Sequence, residues 1–314
     1  MQGHAFAGEA KAAPNEFVFC SRDRMDERYD MMRSVMSTRW IYIHNYRPDL
    51  PYVQPLNYMF QARGYQSWAR VAREGKLTPA TAMFWGEKPT EELYDMLADP
   101  VSIHNLAADP AQRDTLDKMR AALEKRVVAN NDNGFLPEGS TLEGYDASRV
   151  AGAYPIGRVF TLATLASARN AANLPKLREA LDDPSEPIRW WAAQGCTLLR
   201  DKAAAAEPAL RKRLDDKSGA VQVAAAEALA SLGKLDVAMP VLLRWAQQAA
   251  TPPFGVQAAN VLDRLGPAAA PELPAMKTAL AAARKADPYA ARILGHVIDV
   301  LEGREQALVY PAAP

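Results

Sequence analysis

Cysteine is almost missing from this chain of 314 residues: Cys20 and Cys196 lie in opposite halves, and two thiols make no disulfide framework. Both read as small buried hydrophobes. There is no excess of charge, since Lys+Arg and Asp+Glu are each 37, which argues against nucleic acid or a membrane as a bulk electrostatic partner. No run of about 18 apolar residues without charge occurs, so no helix is expected to span a membrane. The opening residues, MQGHAFAGEAKAAPNE, carry charges early and hold no apolar core of signal-peptide length. Taken as a whole protein, that start predicts a cytoplasmic chain; taken as an internal start, it leaves location open. No His-Glu-x-x-His run and no clustered Asp-x-Asp run offers a metal site.

What is present changes character along the chain. Before about residue 150 aromatics, Met and Asn are frequent; afterwards Ala, Leu and charged residues dominate. Two architectures joined end to end are expected. In the second half DDPSEPIRWWAAQGCTLL, from Asp182, returns as DDKSGAVQVAAAEALASLG, from Asp215. That offset lays Ile188 on Val221 and Ala193 on Ala226. A third unit follows with Val256, and a fainter fourth with Val297. Second helices lie between them, so each unit is a helix pair that buries its apolar stripe by stacking on its neighbours. Asp-Asp and Pro serve as helix-start signals. Ala193, Ala226 and Ala259 sit where helices approach closely.

This pattern resembles HEAT repeats, over about residues 155 to 303. Such arrays usually bind a partner, often protein, through one concave face, and Arg189, Trp190 and Trp191 are the candidate interaction residues. Consecutive tryptophans cannot share a helix face. One is expected in the core and the other near a groove or a contact between the halves. The pair serves either as packing, chiefly against the N-terminal half, or as an exposed anchor. His296 stands alone and reads as structural.

The first half alternates differently. EFVFCSR reads as a strand, and YDMMRSVMSTRWIYIHNY as two strands around Ser37-Thr38, with Ile41 and Ile43 alternating against Trp40, Tyr42 and His44. RPDLPYVQP is a Pro-rich loop, and NYMFQARGYQSWARVAREGKL looks helical. EELYDMLAD gives one more strand. AQRDTLDKMRAALEKRVVA is a helix with Leu116, Met119, Leu123 and Val127 on one face. A small antiparallel sheet with a packed helix is predicted, an α+β unit followed by the all-α solenoid. The boundaries are 1–140 for the α+β part, 141–154 for a linker, 155–306 for the repeats and 307–314 for a tail. His44 and Asn45 are expected at a sheet edge, with the imidazole bonded to backbone, and His104 to cap a turn.

MMRSV, an aromatic strand ending IHN, then ELYD, DP and NLAADP before a closing helix together resemble the C-terminal subdomain of sulfatases. The likeness is nearest to the N-sulfoglucosamine sulfohydrolase (sulfamidase) branch, within the alkaline phosphatase superfamily, and covers about residues 1 to 140. It implies a parent enzyme that hydrolyses sulfate esters or sulfamates on sugars, usually exported. The parent's large N-terminal α/β domain would supply a formylglycine nucleophile, from a Cys or Ser in C-x-P-S-R, and a calcium ion. Neither motif is in this chain. Cys20-Ser21-Arg22 lacks the Pro and sits on a strand end. The chain alone is therefore expected to be inactive and to hold no cofactor, its partner being the missing catalytic domain.

The resemblance places the charged loop between the first two strands at the mouth of the catalytic pocket. Arg22, Asp23, Arg24, Asp26, Glu27 and Arg28 are then candidate contacts to a sulfated sugar. Read from composition alone, the same run is a surface loop whose charges pair locally. A second reading of the whole chain is a non-catalytic HEAT-repeat interaction module that keeps a sulfatase-derived platform. The two differ at the sheet: a face left apolar awaits a catalytic domain, whereas a polar one does not. Phe17, Phe19, Trp40, Tyr42 and Phe60 are too many for one helix to cover, which points to the apolar face.

Overall fold

The structure, a computed structural model, describes residues 5–248 and 253–304; the tail assigned to 307–314 lies outside them. Four strands form one antiparallel sheet in chain order: β1 (Val18–Arg22), β2 (Met32–Met36), β3 (Trp40–Asn45) and β4 (Glu91–Asp95). Phe19 faces Val35, Val35 faces Tyr42, and Tyr42 faces Leu93, so these four side chains line one face. Ser37 closes the β2–β3 turn, its hydroxyl oxygen accepting the Trp40 amide at 2.9 Å.

Between β3 and β4 the chain makes a long excursion containing α1 (Asn57–Phe60), α2 (Arg63–Arg73) and α3 (Pro79–Ala82). The excursion has a small core of its own, in which Val53, Ala69, Ala72 and Trp85 are buried. The sheet's own helix is α4 (Arg113–Asn130). Leu116, Met119, Leu123 and Val127, spaced three and four residues apart, are the buried residues of α4. Asp114 sits in its first turn, where the dipole favours an acid, and Asn131 ends it in the left-handed conformation at φ 49°.

After α5 (Tyr145–Arg149) the described residues form nine solenoid helices: α6 (Ile156–Ser167), α7 (Leu174–Ala180), α8 (Glu186–Leu199), α9 (Glu207–Arg213), α10 (Gly219–Ser231), α11 (Leu235–Gln247), α12 (Phe254–Leu265), α13 (Leu273–Ala286) and α14 (Pro288–Leu301). The first helices of successive units, α6, α8, α10, α12 and α14, stack on one another. Ala193, Ala226 and Ala259 have no exposed surface, as close helix approach requires. The aspartates act two residues before the serines that precede the helices: Asp183 accepts the Ser185 amide, and Asp216 that of Ser218. Arg189 then grips Asp216 of the next unit through two hydrogen bonds of 2.7 and 2.8 Å. The fold is thus α+β followed by a helical-repeat solenoid.

The two halves share one core. It runs from Val35, Tyr42 and Leu93 through Tyr46, Phe135 and Trp191 into the solenoid as far as Ile298. The segment 141–154 is no loose tether, because Arg149 donates to the Asn130 carbonyl and Tyr154 to that of Asp132. Among the described residues no helix is long and apolar enough to cross a membrane.

Candidate functional site

The charged loop between β1 and β2 is a joint. Glu27 and Arg28 are 1% and 6% exposed, not surface residues. Asp26 turns the loop back on itself at φ 46°, a conformation Asp tolerates, and Met25 and Arg28 exchange backbone hydrogen bonds across the turn. Arg28 is thereby aimed at the solenoid, where it donates to Asp263 at 2.6 Å and Asn260 at 3.1 Å. Asn260 donates back to the Glu27 carbonyl, and Arg292 of α14 pairs with the Glu27 carboxylate. Arg24 holds Glu138 at 2.6 Å; burial raises the Glu138 carboxyl's pKa, against the pull of Arg24. Asp23 is bound by Arg33 at 2.9 Å, yet burial keeps its carboxyl above the ordinary range. Arg24, Glu27 and Arg28 therefore pair over long sequence distances, while Arg22 and Asp23 pair locally, with Asp30 and Arg33.

Two ion-pair groups that sequence reasoning passed over complete the joint. Arg47, in the loop read only as Pro-rich, sits between Asp49 at 2.7 Å and Glu227 at 3.1 Å. Burial raises the Asp49 carboxyl, but Arg47 outweighs it and holds the group at about 2. Arg33 bridges Asp132 and Asp23, and a Cβ at Gly134 would collide with its guanidinium. The joint borders a partly open cavity of about 40 Å³, lined by residues that include Arg24, Tyr29, Arg47, Trp190, Gln194 and Glu227. That is room for roughly one water and not for a sugar.

Arg189, Trp190 and Trp191 are all buried, at 3%, 6% and 0% exposure. Trp191 donates to the Phe135 carbonyl at 3.0 Å and meets the rings of Tyr46 and Phe135. Trp190 stands edge-on to Tyr29 of the charged loop. Neither ring is presented as an exposed anchor, because the chain's own N-terminal half covers both.

His44 also departs from expectation. β3 is a central strand, and the imidazole bonds to side chains: Nδ1 lies 3.1 Å from Tyr42 Oη and Nε2 2.8 Å from Ser167 Oγ of α6. Tyr42 donates in turn to Glu91, which Arg120 holds at 2.7 and 2.5 Å. Burial pushes the imidazole down to about 4, more than Glu91 lifts it. His104 lies in a turn beside Asp99, and His296 Nε2 lies 3.7 Å from Asp263 Oδ1.

The opposite face of the sheet carries Val18, Cys20, Met32, Ser34, Met36, Ile41 and Ile43 in cross-strand register. Val18 is 55% exposed; Met32, Met36, Ile41 and Ile43 are half-buried. The face is therefore largely apolar and half-open. Phe19, Trp40 and Tyr42, counted as too many for one helix, lie on the α4 side instead and belong to the core that the two halves share. One end of the open face is polar. There Asp30 and Lys88 form a buried pair at 2.5 Å, and burial lowers the Lys88 ammonium more than Asp30 raises it. Tyr52 and Tyr94 donate to Glu92. Arg22, 40% exposed at its side chain, borders this end, with Asp30 at 3.5 Å and the Tyr52 carbonyl at 3.1 Å.

A formylglycine or a calcium ion does not fit these residues. Cys20 lies within β1 on the open face, not at a helix start, and among the described residues no three His, Cys, Asp or Glu are grouped to hold a metal ion.

Comparison with known proteins finds two likenesses. Residues 174–262 match the family model for HEAT repeats. Over 139 residues the chain is 35% identical to an ulvan-active sulfatase of Formosa agariphila. That match takes in 44% of this chain but 23% of the sulfatase, so the chain corresponds to less than a quarter of that protein's length. The chain thus carries HEAT repeats and, over 139 residues, a likeness to a sulfatase.

Proposed function

We propose that this chain is the C-terminal portion of a sulfatase, and that its half-open sheet face receives the catalytic α/β domain. The parent hydrolyses sulfate esters or sulfamates on sugars, with a sulfated polysaccharide as the substrate class. One observation carries the reading: the relative is a sulfatase more than three-quarters of whose length lies outside the match; the half-open apolar face of the sheet supports it. The nucleophile and the calcium ligands belong to that domain. Within the charged loop, Arg22 is the cation left half-exposed at the edge of the face, positioned by Asp30, and able to take a sulfate oxygen at the pocket rim. The HEAT repeats brace the sheet from the other side.

The test is to express the chain together with the α/β domain encoded upstream in its genome and assay sulfate release from sulfated polysaccharides. The pair should copurify and release sulfate, and the 314-residue chain alone should release none. Ile41→Lys with Ile43→Lys should abolish copurification while leaving the chain folded. No upstream sulfatase domain, or copurification indifferent to the two lysines, would sink the reading in favour of a non-catalytic repeat module.

A further inference from the structure

The excursion between β3 and β4 presents a second feature that the joint and the open face do not use. From Leu56 to Thr81 the basic residues are Arg63, Arg70, Arg73 and Lys76, and the acidic one is Glu74. Glu74 is taken by Lys76 at 2.9 Å. No ion pair within 4.0 Å engages Arg63, Arg70 or Arg73 among the described residues, and the hydroxyl of Ser67, 3.4 Å from Arg70, is a neutral neighbour. In a chain of zero net charge, whose other arginines are largely paired, this is a local excess of cation.

Helical spacing makes the three arginines one feature. Residues 63, 70 and 73 are seven and three apart, so they fall in one stripe along α2, with Gln66 and Ser67 between them. Tyr65, Trp68, Ala69 and Ala72 turn the other way, into the excursion's core. Arg63 and Arg70 are exposed and Arg73 half-buried. At about 1.5 Å per residue the stripe is roughly 15 Å long, enough for several successive anionic groups of an extended chain. Phe84, 47% exposed, packs on Trp68 at 5.1 Å and offers a ring face beside the helix. Its other neighbour is Tyr52, bonded to Glu92 at the polar end of the open sheet face.

We propose that this stripe is an accessory binding surface for a sulfated, polyanionic polysaccharide, holding the chain outside the catalytic pocket. The choice of polysaccharide rests on the sulfatase reading above. The chemistry is that of the side chains: guanidinium forks pair bidentately with sulfate and carboxylate, and a ring face suits a sugar. A membrane surface fits less well, because the aromatic face of α2 is already spent on its own core.

Binding is measured on the 314-residue chain alone, so the outcome is independent of whether a catalytic domain docks. The probes are dextran sulfate, unsulfated dextran and single-stranded DNA, at low and at 0.5 M salt. Three proteins are compared: the parent chain, Arg63→Gln/Arg70→Gln/Arg73→Gln, and Lys125→Gln/Lys212→Gln/Lys285→Gln as a control with the same loss of charge from exposed positions. Thermal melts establish that all three are folded. The arginine variant should bind dextran sulfate at least tenfold more weakly than the parent and the lysine variant less than threefold, with binding suppressed by salt and absent for plain dextran. No binding by the parent, equal loss in the two variants, or DNA binding as tight as that of dextran sulfate would overturn the proposal.

Discussion

The two faces of the sheet are made by the same four strands and meet different fates. On one, Val35, Tyr42 and Leu93 are sealed under α4 and the solenoid; on the other, Met32, Met36, Ile41 and Ile43 are half-covered. Side-chain type does not separate them, since the sealed face also carries Tyr42, His44 and Glu91, the last of these only half-buried, while the half-open one carries plain aliphatics. Polar groups are tolerated on the sealed face because each has a partner: Glu91 is held by Arg120 and Tyr42, and His44 by Tyr42 and Ser167. Aliphatics persist on the half-open face because, on the reading proposed here, something else in the parent protein covers them.

Three experiments sharpen that contrast. The largest effect is expected at the joint behind the sealed face: Trp191→Ala removes a fully buried ring and its hydrogen bond to Phe135, and should lower unfolding free energy by about 4 kcal/mol in urea denaturation. Next, Leu93→Ala should cost about 3 kcal/mol, whereas Ile43→Ala, on the half-open face, should cost under about 1 kcal/mol in the isolated chain. Equal costs at the two sites would mean that the face is closed within this chain. The smallest effect is a pH dependence. Because the folded state keeps His44 neutral down to about 4, the unfolded state gains a proton first as pH falls below its ordinary value near 6.5. Stability should therefore drop by about 1–2 kcal/mol between pH 7 and pH 5, and His44→Gln should flatten that window in thermal melts.

Local pattern made much of this visible beforehand. Leu116, Met119, Leu123 and Val127 announce α4, and the 33-residue return of Asp-Asp announces the stacked units. What could not be read was pairing at a distance. Arg28 and Asp263 are 235 residues apart, and nothing near Arg28 distinguishes it from a solvated arginine until the solenoid folds back onto the loop. The same holds for Arg47 with Glu227, and for the side-chain partners of His44. Alternation fixed which side chains of β3 share a face but not which face would be covered, because that depends on α4 and α6, more than 60 residues further along.

The way the solenoid grips the sheet has a consequence for its length. Stacked repeats tolerate gain or loss of a unit, because each touches only its neighbours. Here the array is fastened at several stations: Ser167 and Trp191 near its beginning hold His44 and Tyr46, Glu227 of α10 holds Arg47, and Asn260, Asp263 and Arg292 near its end hold Glu27 and Arg28. The sheet fixes the span between these stations, so it acts as a ruler against which the helices are counted. Deleting α10 and α11 as one unit would leave the far clasp a full repeat out of register, however well the remaining helices stacked.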